Sequence, residues 1–170
     1  MPIKHSTVKE KENGAFEKMK ISFHYKNALA APKMQKIVIN VGTGTAIKKD
    51  KNKNEAIRDR LAKITGQKSA LRGAKQSISS FKVRQGDPIG VVVTMRGKRM
   101  YAFLEKLINV ALPRTKDFRG ISRGAVDNVG NLTIGIKEHT IFPETADEDI
   151  RDVFGMSITL VSTAKNKKEG

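Results

Sequence analysis

A chain of 170 residues, 38% of them hydrophobic, is long enough to bury one core of ordinary size. Its 33 lysines and arginines against 17 aspartates and glutamates give a formal net charge of +16, which favours a polyanionic partner such as nucleic acid or an anionic membrane surface. The lack of cysteine excludes disulfides, thiolate metal sites and cysteine nucleophiles, and no apolar run approaches the ~20 residues of a membrane helix. With no apolar signal segment at its start, the chain is expected to be soluble and cytoplasmic, without membrane contact.

The positive charge lies mostly in the first half of the chain. Residues 1–86 hold 20 basic and 6 acidic side chains, whereas residues 87–170 hold 13 and 11. Residues 60–86 contain seven basic side chains and no acidic one, which is too uniform for a surface balanced by internal ion pairs. A solvated surface kept soluble by charge is the alternative, but the pattern favours an anion-binding surface. The acidic residues between 144 and 152 should face away from phosphate, towards a basic protein.

The first predicted elements are a charged arm and a strand. Residues 1–31 form the arm, in which a helix is expected to be interrupted at Gly14. Residues 36–42 are rich in β-branched side chains and end at a glycine, so they predict a strand. Alternation along this strand places Asn40 on its outward face, opposite a core-facing row. The residues of that row are Ile37, Ile39 and Val41.

A helix and a basic loop follow. Asn54 is the expected N-cap of a helix that runs to Thr65 and ends at Gly66, since glycine commonly follows a helix. The apolar residues of this segment recur at helical spacing, which predicts an amphipathic helix packed on a sheet. These residues are Ile57, Leu61 and Ile64. Residues 69–90 mix serine, glycine and basic residues and predict a long, partly extended basic loop.

A valine-rich strand and a second amphipathic helix come next. Residues 90–97 are β-branched and bounded by glycines, so they predict a strand with Thr94 and Arg96 on its outward face. The helix after it is expected to stop at Pro113, which cannot continue the helical hydrogen bonds. The core-facing residues expected on the strand are Val91, Val93 and Met95, and those on the helix are Met100, Phe103, Leu104, Leu107, Ile108 and Ala111.

The last third of the chain mixes loops and strands. Residues 114–131 are rich in Gly, Arg and Asp and predict an exposed loop, while 132–137 and 156–163 predict two strands. Residues 145–154 predict a short acidic helix between them. Because strands and helices do not alternate regularly, the expected fold class is α+β, with a largely antiparallel sheet, helices packed on one face and long basic loops. The predicted division is an N-terminal arm (1–31), one RNA-binding domain (32–164) and a disordered tail (165–170).

Fragments that imitate catalytic or metal motifs do not fit their surroundings. Residues 120–124 have the Gly-x-Ser-x-Gly spacing of a hydrolase nucleophile elbow, with Ser122 as the candidate nucleophile. That motif needs a strand before the serine and a helix after it, but both flanks are loop-like, so an exposed glycine-rich turn is favoured. The three histidines, at positions 5, 24 and 139, are too scattered to suggest a metal site. No catalytic residue, metal or cofactor is therefore predicted.

Polar side chains on the two predicted strands indicate a binding surface. If both strands lie in one sheet, period-2 geometry places Asn40, Thr94 and Arg96 together on its open face. Gln67 and Lys68, just past the helix that ends at Thr65, would extend this surface. Arginine fixes phosphates, whereas amide and hydroxyl groups contact sugar hydroxyls and base edges. No aromatic side chain lies at these outward positions, so recognition should depend on RNA shape and backbone contacts.

Five segments of the chain carry a family resemblance. They are Ile-Thr-Gly-Gln-Lys at 64–68, Phe-Lys-Val-Arg-Gln-Gly-Asp-Pro-Ile-Gly at 81–90, Thr-Met-Arg-Gly at 94–97, Pro-Arg-Thr-Lys-Asp-Phe-Arg-Gly at 113–120 and Ile-Phe-Pro-Glu at 141–144. In this order they resemble the bacterial ribosomal protein L5 family, from about residue 32 to residue 164. The resemblance implies a non-enzymatic, structural role in the large ribosomal subunit. It also implies contacts with 5S and 23S ribosomal RNA (rRNA) in the central protuberance, beside neighbouring large-subunit proteins.

The resemblance also assigns residues to contacts. The positions that match the family's 5S rRNA contacts are Asn40, Gln67, Thr94 and Arg96. The loop 72–85 resembles the segment that reaches P-site transfer RNA (tRNA), and residues 114–131 resemble the part that bridges to the thirteenth protein of the small-subunit head. Many members continue into a further C-terminal helix, whose contacts are expected to be lost or replaced here. The basic residues expected to contact tRNA are Arg72, Lys75, Lys82 and Arg84, and those of the bridge are Arg114, Lys116, Arg119 and Arg123.

Two other function classes are kept as alternatives. A nonspecific RNA chaperone would bind any polyanion equally and would tolerate Asn40→Ala and Gln67→Ala. A small RNA-processing hydrolase would use Ser122 or the acidic cluster around Asp147 and would turn over an RNA or ester substrate. Preference for folded 5S rRNA over other RNA separates the ribosomal hypothesis from both.

Overall fold

The computed structural model describes residues 7–44, 52–116, 118–146 and 153–170. Over these residues the fold consists of three main helices and a five-stranded antiparallel sheet, so the predicted α+β class is confirmed. The helices are α1 (Val8–Phe23), α2 (Lys53–Thr65) and α3 (Gly97–Lys106), and α3 continues through a π-helical segment, Leu107–Ala111, into a last turn, Leu112–Arg114. The strands are β1 (Met34–Gly42), β2 (Ala70–Gly73), β3 (Pro88–Met95), β4 (Leu132–Ile136) and β5 (Met156–Ser162), in the order β2-β3-β1-β5-β4.

Contacts within the chain group it into two compact units. The first unit comprises Met1–Ile37, Arg96–Thr133 and Thr159–Gly170, and the second comprises Val38–Met95 and Ile134–Ile158. The expected division into arm, binding domain and tail stays a prediction.

The alternating pattern of the predicted strands is confirmed. In β3, Val91, Val93 and Met95 are buried, while Thr94 between them is only half-buried. In β1 the predicted core-facing row is buried and Asn40 is exposed. Burial of one apolar face, at roughly 25 cal/mol per Å² of apolar surface, fixes the register because a slip by one residue would turn that face to solvent. The opposite face of the sheet therefore presents the polar residues.

Helix α2 packs on β3 in the second unit. Its stripe of Ile57, Leu61 and Ile64 is buried, as the spacing predicts. Gly66 ends the helix with φ of 65°, a left-handed conformation that glycine adopts without a clash at Cβ. The helix end thus fixes where the chain leaves α2 for the sheet.

The predicted N-cap of α2 is wrong. The helix begins at Lys53 after Asn52, and Asn54 lies buried within the first turn. Asn54 Nδ2 donates a hydrogen bond to the carbonyl oxygen of Pro88 at 3.1 Å. The asparagine therefore joins α2 to the start of β3 instead of capping the helix, a use of its amide that requires the folded chain.

The segment predicted as a basic loop, residues 69–90, contains strand β2, and this part of the prediction is corrected. Strand β2 pairs antiparallel with β3, with Ala70 opposite Val92 and Arg72 opposite Gly90. All four residues of β2 are exposed, so no buried apolar row marks the strand in the sequence. Pairing of backbone groups with β3 therefore defines this edge strand.

Helix α1 is anchored on α3 within the first unit. It starts with a capping box, in which Thr7 N donates to Glu10 Oε2 at 2.9 Å and Glu10 N donates to Thr7 Oγ1 at 3.3 Å. It runs without a break through Gly14, so the predicted interruption is wrong. Glu12 accepts hydrogen bonds from Met34 N at 2.7 Å and from the Tyr101 hydroxyl at 2.6 Å. One carboxylate thus joins α1 to both β1 and α3.

The Tyr101 hydrogen bond should make the attachment of α1 sensitive to alkaline pH. This bond, with burial and the Glu12 charge, raises the pKa of Tyr101 from 10.0 to about 12. The folded state therefore favours the neutral phenol. The contribution of the Tyr101 hydrogen bond to the free energy of unfolding is present below pH 10 and is lost as pH rises towards 12. Difference titration of phenolate absorbance between wild type and Tyr101→Phe should give a midpoint near pH 12. Glu12→Gln should move that midpoint down, and an unmoved midpoint would contradict the assignment.

Helix α3 buries most of its predicted stripe. Met100, Phe103, Leu104, Leu107 and Ala111 are buried, but Ile108 is 43% exposed, so its prediction as a core residue is wrong. Ile108 lies at the edge of the stripe and inside the π-helical segment, where the helical phase shifts. The helix ends at Arg114, directly after the proline that was expected to stop it.

An acidic helix was predicted for residues 145–154, but most of these, 147–152, are outside the part of the chain that the structure describes. At its ends the structure differs from the prediction. Thr145 belongs to a short 3-10 turn, Pro143–Thr145, and Phe154 lies in no helix. Phe154 is buried and stacks on His139, with ring centroids 4.2 Å apart.

The C-terminal residues form a short turn in the first unit. Asn166 Oδ1 accepts hydrogen bonds from Lys168 N and Glu169 N, both at 3.1 Å, and Lys165 N donates to Glu169 Oε2 at 3.0 Å. The disorder predicted for this tail stays a prediction. Among the described residues, no helix has the length and apolar character needed to span a bilayer.

Candidate nucleic-acid interface

The open face of the sheet in the second unit carries the predicted polar residues of β1 and β3. Asn40 is exposed on β1, and Thr94 is half-buried on β3, each on the side opposite the buried row. Ser157 of β5 donates its hydroxyl hydrogen bond to the Asn40 carbonyl oxygen at 3.3 Å. Hydroxyl and amide groups therefore lie on this face, beside the half-buried Val92.

Gln67 is held beside β3 by two hydrogen bonds. Thr65 Oγ1 accepts from Gln67 N at 3.3 Å, which sets the backbone just after Gly66. Gln67 Nε2 donates to the Thr94 carbonyl oxygen at 3.0 Å. The left-handed end of α2 thus delivers the glutamine amide to β3, and Lys68 follows as an exposed cation. The structure brings together Gln67 and Thr94, which lie 27 residues apart in sequence.

The prediction that Arg96 lies within the strand is wrong, because β3 ends at Met95 and Arg96 is the first residue after it, in the first unit. Its backbone is extended, with φ of −141° and ψ of 163°, and its side chain is exposed. It occupies the N-cap position of α3 but makes no side-chain capping hydrogen bond. The guanidinium is therefore not committed to capping the helix.

The basic loop forms an extended hairpin between β2 and β3. Ala74 N donates to Asp87 O at 2.8 Å and Gly86 N donates to Ala74 O at 3.0 Å, which closes the base. Ile78 and Val83 then pair as an isolated antiparallel bridge below the tip. We call residues 74–87 the basic hairpin. These contacts give the loop a defined shape within the second unit.

Cations lie along this hairpin and at its base. Lys82 sits at the tip with φ of 50°, so the backbone turns sharply there. Asp87 is the acidic residue beside these cations, and its Oδ2 accepts from Arg84 N at 2.7 Å. Its carboxylate thus shapes the turn before Pro88. The predicted tRNA-contact residues, Arg72, Lys75, Lys82 and Arg84, are all exposed.

Of the predicted bridge residues in the first unit, Arg114 ends the last turn of α3 and the other three lie on the irregular segment after it. All four cations, Arg114, Lys116, Arg119 and Arg123, are exposed. Ser122 caps a 3-10 turn, with its Oγ accepting from Gly124 N at 3.2 Å. In the described residues 118–125 no strand precedes Ser122 and no α-helix follows it, so the hydrolase elbow is not formed.

Asp127 shapes the next turn of that segment. It accepts hydrogen bonds from the Asn131 backbone at 2.8 Å, the Asn131 side chain at 2.9 Å and Val129 N at 2.9 Å. These bonds, led by the Asn131 backbone, lower the pKa of the Asp127 carboxyl. The carboxylate is thus occupied by its own loop. The described residues contain no group of three or more His, Cys, Asp or Glu arranged to hold a metal ion.

Sequence reasoning missed the hydroxyl residues of the last two strands. Ser157 lies on the open face in the second unit, and in the first unit Thr133 and Thr159 join their hydroxyls at 3.1 Å. A signal was present, because Ser157 and Thr159 alternate with apolar residues in β5 and Thr133 stands between two apolar residues in β4. Period-2 reasoning applied to β4 and β5 would have found them.

Comparison with known proteins identifies the family. The family model described as ribosomal protein L5 matches residues 27–84, and the model for the C-terminus of the same family matches residues 88–170. The chain belongs to the ribosomal protein L5 family. The family resemblance predicted from the sequence is thereby confirmed. Members of this family are structural and non-enzymatic, which removes the hydrolase hypothesis.

Relatives in this family match over most of the chain. The large ribosomal subunit protein uL5 of Trichlorobacter lovleyi is 48% identical over 94% of this chain and 88% of its own length. The uL5 protein of Desulfatibacillum aliphaticivorans is 50% identical over 90% of this chain and 85% of its own length. That of Leuconostoc mesenteroides is 45% identical over 99% of this chain and 91% of its own length. The L5 family match therefore includes the sheet, the basic hairpin and the segment after α3.

Proposed function

We propose that this chain, a structural constituent of the large ribosomal subunit, binds 5S rRNA through the open face of its sheet and contacts 23S rRNA in the central protuberance. The observation that carries the proposal is the hydrogen bond from Gln67 Nε2 to the Thr94 carbonyl at 3.0 Å. It places a third polar side chain beside the strands that present Asn40 and Thr94. These groups fit the sugar hydroxyls and base edges of folded RNA. The residues proposed to contact 5S rRNA are Asn40, Gln67, Lys68, Thr94 and Arg96.

The chemistry of this face favours folded RNA over single strands stacked on aromatic rings. The open-face positions described above carry amide, hydroxyl and cationic groups and no aromatic ring. Single-strand binders of the sheet-face type use aromatic side chains on their strands. Polar groups held in place by the backbone instead suit a fixed pattern of 2′-hydroxyls and phosphates. The location that follows from the family is the ribosome, in the cytoplasm.

The basic hairpin is proposed to contact P-site tRNA. Lys75, Lys82 and Arg84 on the hairpin and Arg72 at its base are exposed cations that match phosphate, and the neighbouring Asp87 carboxylate accepts a hydrogen bond from the Arg84 backbone. Phosphate contacts position a protein on RNA without reading its sequence, which suits a surface that meets different tRNAs.

The segment after α3 is proposed to bridge to the thirteenth protein of the small-subunit head. This segment and the end of α3 together expose four cations, and the segment also exposes two apolar side chains, Phe118 at 45% and Ile121 at 41%. Such a mixture of aromatic, aliphatic and arginine side chains is typical of protein interfaces rather than of a surface for RNA alone. Neighbouring large-subunit proteins are the other expected partners.

A competition assay tests the 5S rRNA proposal. Labelled folded 5S rRNA bound to the chain should resist competition by an unrelated RNA duplex of equal length, and Asn40→Ala should weaken binding to 5S rRNA but not to the duplex. Asn40 is exposed, so its replacement should leave the fold intact. Equal competition by both RNAs, with Asn40→Ala neutral, would instead support a nonspecific RNA chaperone.

A further inference from the structure

Helix α1 contains the one Asn-Gly pair of the chain, Asn13 followed by Gly14. Asparagine before glycine readily loses its side-chain amide, because glycine has no Cβ to hinder the reaction and its backbone turns freely. Both residues are exposed, and a Cβ built at Gly14 would meet nothing within 4 Å. Packing therefore does not require glycine at this position, and water reaches the pair.

The loss of the amide needs water as its only co-reactant. The backbone nitrogen of Gly14 attacks Cγ of Asn13, its proton passes through solvent to the departing amide, and the bond from Cγ to Nδ2 breaks to release ammonia. The product is a cyclic succinimide. Water then opens this ring in one of two ways. Addition at Cγ gives aspartate, and addition at the backbone carbonyl carbon gives isoaspartate, in which the main chain runs through the side chain.

The folded helix keeps the two reacting atoms from meeting. Helix α1 is continuous from Val8 to Phe23, and in an α-helix each N–H donates to the carbonyl oxygen four residues earlier. The Gly14 nitrogen is therefore engaged in the helix. Its attack on Cγ also requires ψ of Asn13 to rotate away from the helical value of about −42°. Asn13 can thus react only while this turn of α1 is open.

Helix α1 has features of an element that opens readily. None of its residues is fully buried, whereas α2 and α3 each bury several. Glycine in its interior weakens it further. The side-chain hydrogen bonds that tie it to other described elements lie before Asn13, where Val8 N donates to Glu105 Oε1 at 3.2 Å and Glu12 contacts β1 and α3. Elements with few buried contacts have the lowest free energies of local opening.

We propose that Asn13 is a modification site, where the side-chain amide is lost to give aspartate or isoaspartate whenever α1 opens. Isoaspartate adds a methylene group to the main chain, which shifts the helical hydrogen bonds directly after Glu12. The modified helix then no longer presents Glu12 to Tyr101. Because ammonia is lost, the reaction does not reverse, so it marks chains whose first helix has been detached.

The rate of conversion in the folded and unfolded chain tests the site. The full chain is incubated in mildly alkaline buffer with and without urea, and peptide mass mapping measures the loss of each amide. In urea, Asn13 should convert fastest, and Gly14→Ala should slow it about tenfold or more. In the folded chain, Asn13 should convert about ten- to hundredfold more slowly than in urea. Equal rates with and without urea, or no excess in urea over Asn128, which precedes valine, would overturn the proposal.

A matched pair of variants tests whether opening of α1 controls the reaction. Glu12→Ala and Glu17→Ala each remove one carboxylate from α1, but only Glu12 accepts hydrogen bonds from other elements among the described contacts. Glu12→Ala should speed conversion in the folded chain about tenfold, whereas Glu17→Ala should leave it near wild type. Tyr101→Phe should also speed it, without changing a neighbour of Asn13. Unchanged rates in both Glu12→Ala and Tyr101→Phe would overturn control by α1.

The converted chain can be isolated, since ion exchange separates chains that differ by one charge. In its isoaspartate form the phenolate midpoint of Tyr101 should fall from about 12 towards 10.0, because Glu12 no longer accepts the hydrogen bond. Gly14→Ala incubated in the same way should keep its midpoint near 12. An isoaspartate form whose midpoint stays near 12 would show that α1 remains attached, and would overturn the detachment.

Discussion

Replacing Arg96 with alanine should weaken binding to 5S rRNA about ten- to hundredfold, the loss expected for one charge-assisted hydrogen bond to phosphate. The side chain is exposed and makes no capping bond to α3, so the free energy of unfolding should change by less than about 0.5 kcal/mol. The loss of affinity can then be assigned to the RNA contact. Filter binding gives the affinity, and footprinting of 5S rRNA should show local loss of protection.

Arg99→Ala is the matched control for this experiment. Arg99 is also exposed, lies three residues further along the chain on α3, and its loss removes the same charge. Nothing assigns Arg99 to the open face. The affinity of the Arg99→Ala variant for 5S rRNA should therefore fall only through the change in net charge. If Arg99→Ala weakens binding as much as Arg96→Ala, general charge governs binding and Arg96 has no special contact.

Removing the four cations proposed to contact tRNA should make binding to tRNA much less dependent on salt. Each phosphate contact contributes about 0.7–0.9 to the slope of log affinity against log salt concentration, so a fourfold alanine variant should lose about 3 from that slope. The variant carries Arg72→Ala, Lys75→Ala, Lys82→Ala and Arg84→Ala. Titrations of tRNA at several salt concentrations give the slope. The slope for 5S rRNA should change less, since the open face is proposed to supply that contact.

Helix α1 offers a control with equal charge. Its four exposed lysines can be replaced by alanine, which favours a helix, so the net charge falls by the same amount without touching the hairpin. They are Lys9, Lys11, Lys18 and Lys20. In this variant, the slope of log affinity for tRNA against log salt concentration should stay close to that of wild type. An equal loss of slope in both variants would mean that the hairpin acts only through total charge.

The parts of the fold that follow from the sequence are those in which one face is buried. The valines of β3 and the stripe of α2 carry their periodicity in the sequence because solvent and core select side chains on opposite faces. The open face followed from the same alternation, which is why Asn40 and Thr94 were placed correctly. The hydroxyls of β4 and β5 obeyed the rule too, and applying it there would have added them.

The parts that did not follow depend on partners distant in the chain. Strand β2 is exposed throughout, so only its backbone pairing with β3 makes it a strand. Asparagine is a common N-cap residue, but the side-chain amide of Asn54 donates to the carbonyl oxygen of Pro88, 34 residues away.

The closed base of the basic hairpin bears on how quickly an RNA partner could be exchanged. Backbone bonds at Ala74 and Gly86, together with Gln85 N donating to Ser77 Oγ at 2.9 Å, order the projection before any ligand arrives. Binding then immobilises little additional chain, so the barrier to association contains little conformational entropy. If this hairpin contacts tRNA as proposed, such a preordered cationic projection would release one tRNA and engage the next without refolding in between.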